Sequence, residues 1–231
     1  AAVEQRRRPE LIGKPVIIGG SGDPEERGVV STASYEARKF GVHSAMPLRT
    51  AYKLCPQGVF LPVDYEEYSR VSRQVKNILR EFSPVMEDVG IDEAFLDITD
   101  MPEDSEEMAK KIKERIRKEL ELSCSIGIAE NKLLAKIASD LQKPDGLTII
   151  REGGIKRLIW PLPVRKLWGV GPKTEAYLKS LGMNIIGELA AMSLEDLVGH
   201  FGNSYGNYLY EASRGIDESP LVTHCEPKSS S

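Results

Sequence analysis

Apolar residues in this chain alternate between two periods. Val16-Ile17-Ile18 and Val59-Phe60-Leu61-Pro62-Val63 are short β-branched runs that read as strands, the first running into a Gly19-Gly20 turn. Between them, a β-rich stretch from Val29 gives way to a helix, with Ser34 at its N-cap and Gly41 as its stop, and Met46-Pro47-Leu48 opens another short helix that ends near Cys55-Pro56. From Asp64, a capping residue, Tyr68, Val71, Val75, Ile78, Leu79 and Phe82 recur at three and four, the period of an amphipathic helix. The same period returns in Pro102 to Leu120 (Met108, Ile112, Ile116, Leu120) and in Asn131 to Leu141 (Leu134, Ile137, Ala138, Leu141). Extended segments separate these helices: a hairpin over residues 84–99 and a small-residue strand, Ser123 to Ala129, which would let a helix approach closely.

Residues 64–150 therefore read α-β-β-α-β-α-β. One more strand ahead of Ala1 would make this a split βαβ, ferredoxin-like sheet with helices on one face. From Glu152 on, the pattern is helical only. It predicts a helix over 153–160, a helix–Gly-x-Gly–helix unit over 164–174, two further helices within 193–213, and a closing Gly215-Ile216-Asp217. The fold class is α+β.

The densest candidate chemistry lies at the hairpin. Gly90, free to take a positive φ, would turn the chain, and Asp92 and Glu93 stand where the second strand begins. Two adjacent carboxylates are costly to bury unpaired, and a divalent cation would explain them; the plain alternative is a solvated hairpin tip. On the helix after Ser34, Tyr35 and Arg38 share a face, with Thr32 just ahead; a hydroxyl pair and a forked guanidinium suit an oligophosphate. The alternative is a packed ring and an arginine paired to a surface acid. Lys143, just past a helix end, suits either the helix dipole or a phosphate. Arg6-Arg7-Arg8 reads as a phosphate contact or a solvated face. Around Gly169-Val170-Gly171 the backbone can approach a ligand, and the next helix offers free N–H groups and Lys173; this resembles a helix-hairpin-helix module, which holds a DNA phosphate without reading sequence. The alternative there is a plain αα-hairpin.

Composition narrows the setting. With 41% hydrophobic and 29% charged residues over 231 positions, the chain is an ordinary globular sequence of one to three domains. A net charge of −4 argues against a nucleic-acid coat protein while allowing a locally basic groove. Cys55, Cys124 and Cys225 are scattered, as are His43, His200 and His224, so neither a disulfide framework nor a zinc site is expected, and a reducing cytoplasm fits. No apolar run is long enough for a membrane span, and the start, Ala1 to Arg8, is not a signal peptide.

Ser31 to Gly41, Gly90 to Thr99, Asn131 to Gly146 and Gly169-Val170-Gly171, in this order and at these distances, resemble the Y-family translesion DNA polymerases of the DNA polymerase IV branch. The resemblance covers essentially the whole chain. It implies the end of an N-terminal palm segment at 1–12, fingers at 13–63, palm at 64–150, thumb at 151–221, and at 222–231 a linker toward a little finger domain. It implies that Asp92 and Glu93 bind Mg²⁺, two ions per active site, that Thr32, Tyr35, Arg38 and Lys143 hold the incoming deoxynucleoside triphosphate, and that Gly169, Gly171 and Lys173 hold primer-template DNA. The first metal aspartate and the sugar-discriminating aromatic of the family would precede Ala1, and the little finger, with any sliding-clamp contact, would follow Ser231. The residues given are therefore expected to be weakly active or inactive alone, and monomeric. Gly90 stands where the family often has Ser, a change a turn should tolerate. The rival readings are a DNA-binding scaffold without catalysis and a palm-fold nucleotidyl cyclase; the hairpin around Gly169 counts against the cyclase, which has no duplex to hold.

Overall fold

The computed structural model describes residues 1–223; the expectations for His224, Cys225 and the Pro227–Ser231 tail fall outside the described residues. The chain divides into two compact units. The first is Ala1–Ile78 with Gly90–Asp92 and Ile116–Leu122; the second is Leu79–Val89, Glu93–Arg115 and the chain from Ser123 on.

In the first unit, β1 (Val16–Gly19) is the central strand of a three-stranded sheet, antiparallel to β2 (Val30–Ala33) and parallel to β3 (Val59–Leu61). It is buried on both sides, which is why it reads as an unbroken apolar run. Ile17 packs with Val30, Ala37, Val42, Leu48, Ala51 and Cys55, while Val16 and Ile18 pack with Leu11 and Leu61. The helices α2 (Tyr35–Arg38), α3 (Leu48–Leu54) and α4 (Tyr65–Phe82) lie where the pattern put them, and a short helix, α1 (Ala2–Arg7), precedes them. Ser34 caps α2, its Oγ accepting from Ala37 N at 3.3 Å, and also accepts from Val16 N at 3.0 Å, so the cap ties the helix to β1. Asp64 caps α4 through Glu67 N at 3.1 Å.

The basic run at Arg6-Arg7-Arg8 is engaged by acids of the same unit. Arg6 pairs with Glu67, Arg7 with Asp64, and Arg8 with Glu4, a buried acid that also accepts from Tyr68 Oη at 2.9 Å. A glutamate removed from water needs such partners, and Arg7, Arg8 and the Tyr68 hydroxyl supply them.

In the second unit, β4 (Met86–Asp88) and β5 (Ala94–Leu96) form the expected antiparallel hairpin, with Met86 opposite Leu96. Helix α5 (Ser105–Leu120) starts three residues later than its apolar period suggested, because Asp104 Oδ1 accepts from the N–H groups of Glu106 and Glu107 at 3.0 and 3.1 Å. Next, β6 (Ile126–Ile128) pairs in parallel with β7 (Leu147–Ile149) around α6 (Lys132–Leu141). The four strands stand as two two-stranded ribbons, β4–β5 and β6–β7; the single split sheet was expected only with one more strand ahead of Ala1, and no described strand bonds both β5 and β6.

The helical remainder differs in one place: instead of a helix over 153–160 there is a single π-helical turn, Ile155–Ile159. Then come a 3₁₀ turn (Val164–Lys166), α7 (Pro172–Ser180), α8 (Ile186–Ala190), α9 (Leu194–Phe201) and α10 (Asn203–Ser213). Their core, with Leu167, Leu178, Ile186, Leu197 and Leu209, is continuous with Leu133, Leu134 and Ile137 of α6. The tail after α10 returns to the start of α6. Asn131 caps that helix and donates from Nδ2 to Gly215 O at 2.8 Å, and Asp217 Oδ2 accepts from Leu133 N at 3.0 Å. Burial pushes the Asp217 carboxyl up, but hydrogen bonds from Ser219 and Leu133 outweigh it, leaving its pKa below the ordinary carboxylate value. A folded pKa below the unfolded one means the stabilisation is complete above the ordinary carboxylate range and fades as pH falls through the folded value. Asp217→Ala is therefore expected to cost about 1 kcal/mol at neutral pH, the usual worth of a helix cap. In denaturant titrations at stepped pH, the gap from wild type should close as the solution turns acid.

Candidate nucleotide and nucleic-acid site

The first unit positions Thr32, Tyr35, Arg38 and Asp92. Thr32 lies on β2 opposite Ile18, and the short α2 follows directly. Arg38 Nε donates to Ala33 O at 3.1 Å, which anchors the guanidinium to the strand end. Its terminal nitrogens have no acid partner among the described residues, and the hydroxyl of Tyr35, a residue 50% exposed, makes no hydrogen bond among them. Neither the packed tyrosine nor the surface-paired arginine of the alternative reading is present. Asp92 is exposed, with no ion pair or hydrogen bond among the described residues. Arg38 and Asp92 both act on the Ala1 amine. Burial lowers that amine to about 6, Glu4 pulls it up, Arg38 pushes it down and Asp92 pulls it up. Each of these two side chains is thus within electrostatic reach of the same atom.

The second unit holds Glu93 and Lys143. Glu93 forms an ion pair with Lys136, and Lys136 lies 3.7 Å from Asp140, which pairs with Lys143 at 2.6 Å. A run of alternating charge therefore joins Glu93 to Lys143. Lys136 and Asp140 were missed by the sequence reading. The available signal was a polar stripe at 136, 140 and 143, on the side of α6 away from its apolar residues. Lys132 on the same helix pairs with Glu87 at 2.8 Å.

Asp92 and Glu93 precede the first residue of β5, so strict strand alternation does not govern them. Among the described residues no group of three or more His, Cys, Asp or Glu is arranged to hold a metal ion. Two carboxylates nevertheless suit Mg²⁺ where substrate phosphates complete the shell, and Glu93 already carries a cation at its carboxylate in the form of Lys136. The donor chemistry fits an ion shared with a triphosphate.

At the hairpin in the helical part, Gly169 takes φ +82° and Gly171 N-caps α7, with Pro172 as the first helical residue. Lys173 is exposed beside that helix start, with no ion pair among the described residues. Tyr205 Oη donates to Gly169 O at 3.0 Å, and Tyr208 Oη donates to Trp168 O. The Tyr208 hydroxyl is pushed up to about 12, mainly by burial and then by Tyr205 and Asp217, so it remains a donor. The hairpin's carbonyl side is thereby fixed while the N–H groups of Lys173 and Thr174, in the first turn of α7, have no intrahelical acceptor.

Small sheets, a glycine hairpin and a run of short helices make this an α+β protein. Family models describe the chain further: the impB/mucB/samB family matches residues 1–140, and the model described as the thumb domain of DNA polymerase iota matches residues 165–217. DNA polymerase IV of Clostridium perfringens (strain ATCC 13124) is 48% identical over 96% of this chain and 62% of its own length. DNA polymerase IV of Dehalococcoides mccartyi (strain 195) is 46% identical over 99% of this chain and 58% of its own. Among solved structures, DinB from Sulfolobus solfataricus superposes with a TM-score of 0.87 at 30% identity, covering 96% of this chain and 65% of that one. An insertion ternary complex of Dbh DNA polymerase gives 0.83 at 30% identity, covering 95% and 65%. The chain spans about three-fifths of the length of these curated relatives. It belongs to the impB/mucB/samB family, the Y-family DNA polymerases, on the DNA polymerase IV branch.

Gly90 departs from its expected role: its φ is not positive, and a Cβ placed there would meet nothing within 4 Å. Its carbonyl accepts from Lys76 Nζ at 2.5 Å, a bond that needs no particular side chain. Gly90→Ser is expected to leave the melting temperature within about 2 °C of wild type, the range of a neutral surface change. A larger drop by calorimetry would show that the turn needs glycine.

Proposed function

We propose that this chain carries the fingers (13–63), palm (64–150) and thumb (151–221) of a template-directed DNA polymerase that copies damaged templates. The observation that carries the reading is the face formed by Tyr35 and Arg38: a rigidly capped helix that keeps a hydroxyl and most of a guanidinium clear of protein partners. Two donors kept free on a fixed element suit the oxygens of a triphosphate. The names borne by the relatives and the helix-hairpin-helix geometry around Gly169 support the same reading.

In this mechanism Thr32, Tyr35 and Arg38 donate to the phosphate oxygens of the incoming nucleotide, and Lys143 adds a positive charge at the same group. Asp92 and Glu93 would hold Mg²⁺, which supplies charge stabilisation on the attacking and leaving oxygens. The primer 3′-hydroxyl gives its proton to water as its oxygen forms a bond to the α-phosphorus, the bond from that phosphorus to the bridging oxygen breaks, and pyrophosphate leaves. The N–H groups at Gly169 and Gly171, with Lys173, grip the primer-strand backbone without reading its bases. Short fingers (13–63) would constrain the nascent base pair little, which suits altered template bases.

Arg38→Ala in the full-length protein should raise KM for the deoxynucleoside triphosphate about tenfold or more, the loss of a charge-assisted contact, with DNA affinity nearly unchanged. An unchanged KM with collapsed DNA binding, read by fluorescence anisotropy, would assign this face to the duplex instead. Asp92→Ala should abolish primer extension while leaving the circular dichroism spectrum and melting curve intact; normal turnover in that variant would remove Asp92 from the reaction.

A further inference from the structure

The ion pair between Glu93 and Lys136 is not explained by the roles assigned so far. The Lys136 side chain is only 17% exposed, and that of Glu93 is 41% exposed. A mostly buried ammonium needs a carboxylate, and its nearest alternative is Asp140, one turn further along α6, at 3.7 Å. Asp140 in turn pairs with Lys143 through its other oxygen, Oδ1, at 2.6 Å. Each carboxylate in this run thus faces two claims: Glu93 from Lys136 or a divalent ion, and Asp140 from Lys136 or Lys143.

We propose that Lys136 is the resident counter-ion of Glu93, holding that carboxylate until a divalent cation takes it and then passing to Asp140. The idea rests on the reading of Glu93 as a ligand to Mg²⁺. Lys136 is a positioning residue: it keeps Glu93 in place and neutral in sum when no cation is bound, and it sets the threshold at which the cation enters. No bond is made or broken in this exchange; only ion-pair partners change.

The test uses Mn²⁺ as a spectroscopic stand-in, titrated into the full-length protein and followed by loss of the free-ion EPR signal. Lys136→Met keeps the aliphatic stem and removes the charge, and should tighten Mn²⁺ binding roughly three- to tenfold, the worth of a partly shielded ion pair. Lys136→Arg should stay near wild type, and Lys136→Gln serves where the Met variant fails to fold. Unchanged or weaker Mn²⁺ binding in Lys136→Met, with binding still lost in Glu93→Gln, would overturn the counter-ion role and leave the metal role of Glu93 standing. Unchanged binding in Glu93→Gln would overturn both, by removing Glu93 from the metal site.

Discussion

Helix α6 (Lys132–Leu141) can lie against β6 only because residue 127 has no side chain, and much of the second unit follows from that contact. A Cβ on Gly127 would come within 2.1 Å of Ala135 O and 2.4 Å of Ser139 N, both backbone atoms that cannot swing aside. Once seated, the helix serves three neighbours. Its Leu133, Leu134 and Ile137 are part of the core beneath the short helices that follow. Its first turn is held by Asn131 and by Asp217 from the far end of the chain. Its polar stripe carries Lys136 and Asp140, which fix Glu93 and Lys143. Any shift of this helix would move both ends of the charged run at once.

Charge is distributed in two ways. Where it supports the fold, it is neutralised locally: the three arginines at 6–8 meet Glu4, Asp64 and Glu67, and Lys113 meets Asp145 at 2.6 Å while donating to Cys124 O. Elsewhere it stays open to solvent among the described residues, at Asp92, at most of Arg38 and at Lys173. A net charge of −4 hides this division, since a bulk value averages paired and open groups alike.

Much of the architecture was legible because the signals were local. Ser34, Asp64 and Asn131 cap helices as their residue types dictate, and the apolar periods located the long helices. What escaped depended on partners distant in sequence. The roles of Arg6 and Arg7 turned on acids about sixty residues away, and that of Lys136 on Glu93, 43 positions earlier. The helix expected over 153–160 shrank to one turn because its glycine-led, apolar-rich sequence fits an irregular wrap around Ile159 as well as a regular helix. Gly90 misled in the opposite sense: glycine permits a positive φ but does not require one.

The hairpin after Trp168 shows why its glycines alone did not decide between a phosphate grip and a plain turn. Gly169 at φ +82° lets the chain reverse, yet a reversal by itself leaves a loop free to move. Tyr205 and Tyr208, 36 and 39 residues later, add what is missing by bonding the carbonyls of Gly169 and Trp168. Their rings, stacked with centroids 5.8 Å apart, stiffen each other, and a ring carbon of Tyr208 would sit 3.2 Å from any Cβ at position 169. Rigidity at the carbonyl side fixes where the opposite N–H groups point. An anion placed there would meet donors already oriented, without the entropy cost of ordering a loop, which is the physical basis of the proposed phosphate grip.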